Sequence, residues 1–237
     1  MAPGRDIVVV AASAGGLLPL RRMLSQLPPD LPAAVLVVLH IPATGGRSLP
    51  RILDRAGPLT ADSAVDGERI RPGRVYVAPP DQHLLVVKDV VRLSRGPRQN
   101  GVRPAADPLF RSAALHAGPR TTAVVLSGTM DDAALGSATV ERRGGQVVVQ
   151  DPADADYDSM PRNAIAATVD AIVVPAAEIA GQVIRLATEE AAMAPADAFP
   201  PDKELAAELD GLWQAANVIR DVASGMTTEV APGPEQA

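Results

Sequence analysis

The segment IVVVAASAGG, residues 7–16, constrains the fold of this chain more strongly than any other. Its first four residues are apolar and β-branched, which is typical of a strand buried on both faces of a parallel sheet. Small residues surround Ser13, and a helical pattern follows with Pro19 in its first turn, where the missing N–H costs little. The segment therefore predicts a strand, a tight turn and a helix. The apolar face of that helix is predicted to comprise Leu17, Leu18, Leu20, Met23, Leu24 and Leu27.

The Ser13 hydroxyl lies at the bend of this unit and has two interpretations. A serine in front of a helix can cap it by accepting a hydrogen bond from a backbone amide. The same free amides can instead stabilise the negative charge that develops on a reacting oxygen, which would suit a serine nucleophile. The segment alone leaves both interpretations open.

Strands and helices alternate along the chain as far as residue 186. Further strands are predicted at Ala33–Leu39, Arg74–Ala78, Thr121–Leu126, Gln146–Gln150 and Ala171–Val174, with a hairpin of Leu84–Val87 and Val90–Leu93 around Lys88-Asp89. Further helices are predicted at Leu49–Arg55, Pro108–Ala117 (introduced by Asp107), Ala133–Arg143, Arg162–Thr168 and Ile179–Leu186. Repeated βα units of this kind predict a three-layer α/β/α domain with a doubly wound, mostly parallel sheet and a small β-hairpin.

Composition excludes several kinds of site and several cellular contexts. The 237 residues include no cysteine, which excludes disulfides, thiolate zinc sites and cysteine nucleophiles. No apolar run approaches the roughly 18 residues of a membrane span. The first apolar run is too short for a signal peptide and follows Asp6 directly. We therefore expect a cytoplasmic protein that does not insert into a membrane.

The net charge of −6 is concentrated at the C-terminal end. Residues 188–237 hold ten acidic and two basic residues, whereas the rest of the chain holds 18 acidic and 20 basic residues. A near-neutral body with an acidic tail argues against nucleic-acid binding. We predict a main domain over residues 1–187, an Ala/Pro-rich linker over 188–201, an acidic amphipathic helix over 202–223 and a disordered tail over 224–237. The helix is expected to cover the last helix of the domain or, alternatively, to pair with another copy of the chain or to dock a partner through Trp213.

Three polar residues follow predicted strands in a way that suggests chemistry. Open α/β sheets bind ligands beyond the carboxyl ends of their strands, and Ser13, His40 and Asp132 all lie there. These residue types can act as nucleophile, general base and orienting acid. Of the three histidines in the chain, only His40 directly follows a buried strand. His83 leads into the hairpin and His116 lies late in a helix.

Two well-known motifs fail to match this arrangement. An α/β-hydrolase needs Gly-x-Ser-x-Gly and the order serine, acid, histidine, whereas the turn here reads Ala11-Ala12-Ser13-Ala14-Gly15 and the histidine precedes the acid. A dinucleotide-binding fold needs Gly-x-Gly-x-x-Gly after the first strand, which the chain does not provide.

Six segments, taken together with their order, carry a resemblance to a known family. They are Val9–Gly16 (VVAASAGG), Val38–Pro42 (VLHIP), Gly73–Leu84 (GRVYVAPPDQHL), Arg103–Ala114 (RPAADPLFRSAA), Val125–Gly136 (VLSGTMDDAALG) and Val149–Ile165, which ends in SMPRNAI. On these segments the chain resembles the catalytic domain of the CheB family, the chemotaxis receptor methylesterases. The resemblance covers roughly residues 7–186.

Membership of this family implies hydrolysis of glutamate γ-methyl esters on a methylated chemoreceptor-like protein, and in some members deamidation of glutamine. The motif matches assign the nucleophile to Ser13, the general base to His40 and the orienting carboxylate to Asp132. They imply no cofactor and no metal, and a methyltransferase as a further partner. A docking module without catalysis and a general small-ester hydrolase are the alternatives.

Two departures from the family pattern bear on the acid loop and on control. The family commonly reads Gly-Met-Gly-Asn-Asp-Gly, whereas this chain reads Gly-Thr-Met-Asp-Asp-Ala from Gly128, so Met130 and Ala133 replace two glycines. The oxyanion hole is expected to use backbone amides near Ala14 and Thr129 or Met130. The family's usual N-terminal receiver domain has no counterpart in front of the first strand, so we expect a catalytic domain without that control.

Overall fold

A seven-stranded parallel sheet forms the centre of the computed structural model, which describes residues 4–40, 48–189 and 202–212. The strands of this sheet are β1 (Ile7–Ala12), β2 (Ala34–Leu39), β3 (Thr60–Ser63), β4 (Arg74–Val77), β7 (Thr121–Val125), β8 (Gln146–Gln150) and β9 (Ile172–Val174). Their spatial order is β3-β4-β2-β1-β7-β8-β9. A separate antiparallel hairpin consists of β5 (His83–Val87) and β6 (Val90–Ser94). The chain therefore winds outward in both directions from β1, as the sequence predicts.

Helices cover both faces of the sheet because each central strand is apolar on both sides. The helices are α1 (Leu17–Gln26), α2 (Leu49–Asp54), α3 (Ala106–His116), α4 (Ala134–Arg142), α5 (Ser159–Ala167) and α6 (Ile179–Thr188). One core joins Ile7, Val9 and Ala11 to α3, α4, α5 and the hairpin. The other core joins the alternate residues of β1 to α1, α2 and α6. This arrangement confirms the three-layer α/β/α prediction, and all six residues of β1 are buried.

Three details of the fold differ from the sequence-based predictions. The edge strand β3 was not predicted, because only one of its four residues is buried and the segment TADS has no apolar run. Leu18 is 67% exposed, so it does not belong to the buried face of α1. Asp107 does not introduce α3, whose cap is Ala105. Asp107 lies inside the helix, and its carboxylate accepts a hydrogen bond from the amide of Gly136 at 2.7 Å.

The acidic C-terminal segment is helical over residues 203–212 and packs on its own domain. Leu205, Leu209 and Leu212 form a small buried cluster with Leu115 of α3. This contradicts the expectation that the helix covers the last helix of the domain, since it lies against α3 and the end of the hairpin instead. Leu115 of α3 is only partly buried and packs against the cluster, whereas α6 already packs against α1. The predicted linker from 190 to 201, Trp213, the rest of the predicted helix and the tail over 224–237 lie outside the described residues.

No helix within the three described ranges has the length and the apolar character needed to cross a membrane.

Candidate active site

The candidate site lies where the chain changes winding direction, between the carboxyl ends of β1, β2 and β7. Ser13 directly follows β1 and His40 directly follows β2. The loop after β7 carries Asp132. Two backbone hydrogen bonds tie the three strand ends together, from Ser13 N to Ser127 O and from His40 N to Ala12 O, each at 3.0 Å. Parallel α/β sheets bind ligands at such a switch point.

Ser13, His40 and Asp132 form a continuous series of hydrogen bonds. The Nδ1 atom of His40 lies 3.1 Å from Ser13 Oγ, and its Nε2 atom lies 2.7 Å from Asp132 Oδ2. An ionised carboxylate can only accept, so Nε2 carries the proton and Nδ1 faces the hydroxyl as an acceptor. The structure thus brings together the three residues that the sequence singled out. The alternative interpretation of Ser13 as a helix cap is wrong, because α1 is preceded by Gly16 and no side-chain hydrogen bond caps it.

Asp132 is fully buried and is held by four donors. Besides His40, the amides of Ala106 and Asp107 donate to it at 2.6 and 3.0 Å. The fourth donor is the side-chain amide of Asn100 at 3.1 Å. Burial alone would raise the pKa of Asp132, but the hydrogen bonds from His40 and the two backbone amides hold that pKa below its ordinary value. The carboxylate therefore stays ionised beside the imidazole.

A second carboxylate lies next to this one and has the opposite electrostatic behaviour. Asp107 is almost fully buried, and burial together with the negative charge of Asp132 raises its pKa to about 6. Hydrogen bonds from Gly136 and Asn100 oppose that rise only in part. Sequence reasoning missed Asn100 altogether and assigned Asp107 to a helix start. An available signal was the Asn100-Gly101 pair, which is typical of a tight hairpin turn.

Two residues of the acid loop adopt a backbone conformation that favours glycine. Met130 has φ of 69° and Ala133 has φ of 80°, both in the left-handed region that favours glycine. Asp132, between them, reaches His40 with its carboxylate. Asp131 is exposed.

The residues expected to form an oxyanion hole flank Ser13 on two sides. Ala14 is the next residue, and its carbonyl accepts a hydrogen bond from Ser127 Oγ at 2.9 Å. Thr129 and Met130 follow Gly128, and a Cβ built on that glycine would lie only 2.8 Å from Ser13 Cβ. The loop after β7 therefore approaches the serine closely at Gly128. The backbone amides of Ala14, Thr129 and Met130 have no acceptor among the residues that the structure describes.

The other two histidines lie apart from this chemistry. His83 is fully buried, its Nε2 lies 3.0 Å from the carbonyl of Pro97, and its Nδ1 accepts from the amide of Ala105. Burial lowers the pKa of His83, which suits this neutral structural role. His116 ends α3, as predicted. Within the described ranges, no three histidine or acidic side chains are arranged to hold a metal ion.

Comparison with known proteins gives a consistent result. The family model of the CheB methylesterase matches residues 8–183. A relative from Anaeromyxobacter dehalogenans, named protein-glutamate methylesterase/protein-glutamine glutaminase 3, is 43% identical over 176 residues, which cover 73% of this chain and 52% of the relative. A relative from Pyrococcus abyssi with the same name, without the number, is 36% identical over 77% of this chain and 51% of its own length. The chain thus spans about half the length of these curated relatives.

A solved structure supports the same assignment at the level of the fold. The crystal structure of the Thermotoga maritima CheB methylesterase catalytic domain matches with a TM-score of 0.72 and 34% sequence identity. The match covers 78% of this chain and 100% of that domain. The chain belongs to the CheB methylesterase family.

Proposed function

We propose that this chain hydrolyses methyl esters of glutamate side chains on a methylated chemoreceptor-like protein. The observation that carries the proposal is the series of hydrogen bonds from Ser13 through His40 to the buried Asp132. A serine hydroxyl needs a neighbouring base to become a nucleophile, and this series supplies one together with a group that orients it. The substrate class is supported by the relatives' name, protein-glutamate methylesterase.

The proposed reaction proceeds in two stages and conserves every proton. Ser13 Oγ attacks the ester carbonyl carbon while its proton passes to His40 Nδ1. The tetrahedral intermediate collapses as His40 returns that proton to the departing methoxide, which leaves as methanol. The glutamyl group stays bound to Ser13 Oγ as an ester. Water then attacks this ester with His40 again as the base, and the glutamate carboxylic acid and free Ser13 are released. Asp132 remains ionised and keeps Nε2 of His40 protonated.

Backbone amides are the proposed stabilisers of the oxyanion in both stages. Donors that are fixed before the reaction lower its barrier because they need no reorganisation as charge develops. The candidates are the amides of Ala14 and of Thr129 or Met130, which flank the nucleophile. Met130 has a positive φ, so the peptide groups on its two sides are oriented differently from those of an extended chain.

Deamidation of glutamine side chains is a second candidate activity. The relatives carry the double name with protein-glutamine glutaminase. The same nucleophile and base would act on an amide, with His40 protonating the departing amine so that ammonia leaves in place of methanol. The acyl intermediate and its hydrolysis would be identical.

The proposed setting is the cytoplasm, where a methyltransferase would form the esters that this chain removes. The experiment is incubation with receptor signalling fragments that a methyltransferase from the same genome has methylated, followed by mass spectrometry of the fragments. The proposal predicts loss of the methyl group at modified glutamates. Hydrolysis of a small chromogenic ester without demethylation would instead indicate a general esterase. Binding of the fragment with no turnover of either substrate would indicate a docking module.

A further inference from the structure

Two aspartates from different elements cap each other's helices. Asp132, just before α4, accepts hydrogen bonds from the amides of Ala106 and Asp107 in the first turn of α3. Asp107 in turn accepts the amide of Gly136, in the first turn of α4, at 2.7 Å. A carboxylate at a helix N-terminus is stabilised by free amides and by the helix dipole. The exchange therefore ties α3 to α4 at the point where the candidate acid sits.

The same exchange brings two carboxylates of like charge close together, and Asn100 lies between them. Its side-chain Nδ2 donates to Asp107 Oδ2 and to Asp132 Oδ1, in both cases at 3.1 Å. Both N–H groups of the Asn100 side-chain amide therefore donate to a carboxylate, one to each aspartate. His40 and Asn100 are the side-chain donors to Asp132 among the described residues, and they bind its opposite oxygens.

The backbone around Asn100 holds this amide in place. Gln99 and Val102 exchange two backbone hydrogen bonds, at 3.2 and 2.9 Å, which close a two-residue turn. Asn100 and Gly101 at its centre have φ of 50° and 75°. Asparagine and glycine are the residues that adopt this conformation most readily. Although the residue as a whole is exposed, its amide is directed inward to the two carboxylates.

We propose that Asn100 is a positioning residue, whose amide aligns the Asp132 carboxylate with His40 by anchoring it to Asp107. The proposal rests on the hydrolysis proposed above. The Ala106 amide shares Asp132 Oδ2 with His40, whereas the Asp107 amide and the Asn100 side chain hold Oδ1, the oxygen away from His40. Of these donors, the Asn100 side chain is the one that also binds the neighbouring carboxylate. Without the Asn100 amide, no donor lies between the Asp107 and Asp132 carboxylates to reduce their repulsion, and Asp132 Oδ1 loses one hydrogen bond. The loss would misalign the imidazole while leaving substrate contacts intact.

Three variants separate the effect of the Asn100 amide from the effect of the turn conformation. Asn100→Gly removes the amide but keeps a residue that favours positive φ, and Asn100→Asp keeps the shape but replaces the donor with a third carboxylate. Gln99→Ala is the matched control, since the Gln99 side chain makes no hydrogen bond within the described ranges. We expect Asn100→Gly to lower kcat about tenfold with KM almost unchanged, and Asn100→Asp to lower it further. Gln99→Ala should behave as the wild type.

A double-mutant cycle shows whether Asn100 acts through Asp132. In an Asp132→Ala background the anchored carboxylate is gone, so Asn100→Gly should produce no further loss of kcat. A further tenfold loss in that background, or unchanged kcat for Asn100→Gly in the wild-type background, would overturn the proposal. If the wild-type chain shows no turnover at all, the proposed hydrolysis fails, which is distinct from a failure of this inference.

A spectroscopic measurement gives an answer that does not depend on turnover. The His40 Nε2 proton, shared with a buried carboxylate, should give a low-field proton resonance in the full chain. Asn100→Gly should shift or broaden this resonance, and Gln99→Ala should not. Because a loss of fold would also change the thermal midpoint, an altered resonance with an unchanged midpoint supports positioning. An unaltered resonance in Asn100→Gly would contradict it.

Discussion

Glycine should be tolerated at Met130 and at Ala133, with each substitution changing the stability of the protein by less than about 0.5 kcal/mol. Both residues have positive φ, 69° and 80°, in the left-handed region that favours glycine. A side chain in the left-handed region costs roughly 1–2 kcal/mol, and glycine avoids that cost. Part of the gain is lost, because glycine gives the unfolded chain more conformational freedom.

Lost burial offsets the rest of the gain at both positions. Met130 is 48% exposed, so deleting its half-buried side chain forfeits about half of the roughly 1.5–3 kcal/mol of a fully buried methionine. Ala133 is fully buried in the core, and deleting its methyl group forfeits about 0.8 kcal/mol of burial. The relief of backbone strain is therefore largely cancelled at both positions.

Urea and thermal denaturation of the full chain test this balance. Met130→Gly and Ala133→Gly should each shift the thermal midpoint by less than about 2 °C. Ala134→Gly is the control, since this residue begins α4 with ordinary helical geometry and glycine there should destabilise by about 0.5–1 kcal/mol. The reasoning would be refuted if either of these two substitutions destabilised the chain as much as Ala134→Gly does.

Three further predictions concern the buried carboxylates and the C-terminal helix. Asp132→Asn should lower kcat by on the order of 10³-fold or more, because a neutral amide has no negative charge to stabilise the protonated imidazole. Asp131→Asn should lower kcat less than about tenfold. Steady-state assays with methylated receptor fragments would show the reverse ranking if the acid were Asp131. The pKa of Asp107 is raised from 3.8 to about 6, so the folded state binds the Asp107 proton more tightly than the unfolded state does. The stability that this proton contributes is therefore present below about pH 4 and is lost as the pH rises through about 6. Asp107→Asn should remove that decline in the free energy of unfolding, and an identical pH profile in both proteins would count against it. Leu209→Ala should destabilise the chain by about 2 kcal/mol, because its side chain is buried against α3, and an unchanged urea midpoint would mean that the helix does not dock there.

The layered fold could be predicted because its signals are local. A β-branched run such as Ile7–Val10 has few alternatives to a central strand, and the Lys88-Asp89 turn determined the hairpin, with both residues at positive φ. The edge strand β3 could not be predicted in this way, since only Ala61 of its residues faces the core. The docking site of the C-terminal helix depends on which surface of the finished domain is still uncovered, and that surface is a product of tertiary packing.

The candidate site could be predicted as far as its strand-end residues. Ser13, His40 and Asp132 follow strands that the sequence indicates, so their convergence follows from the topology of a parallel sheet. The partners of Asp132 could not be predicted, because they come from long-range contacts. Asn100 belongs to a polar loop, and Asp107 resembles an ordinary helix cap until α4 is placed beside α3. The positive φ of Met130 and Ala133 also depends on surrounding structure that outweighs local strain.

Methanol release from a methylated receptor fragment, compared between the wild type and Ser13→Ala, tests the central claim most directly. Ser13 lies between small residues, and its side chain hydrogen bonds only to His40 among the described residues, so alanine should leave the fold and the thermal midpoint intact. The proposal predicts rapid release by the wild type and a loss of on the order of 10³-fold or more in the variant. A folded Ser13→Ala protein that retained more than about a tenth of the wild-type rate would contradict the assignment of Ser13 as the nucleophile.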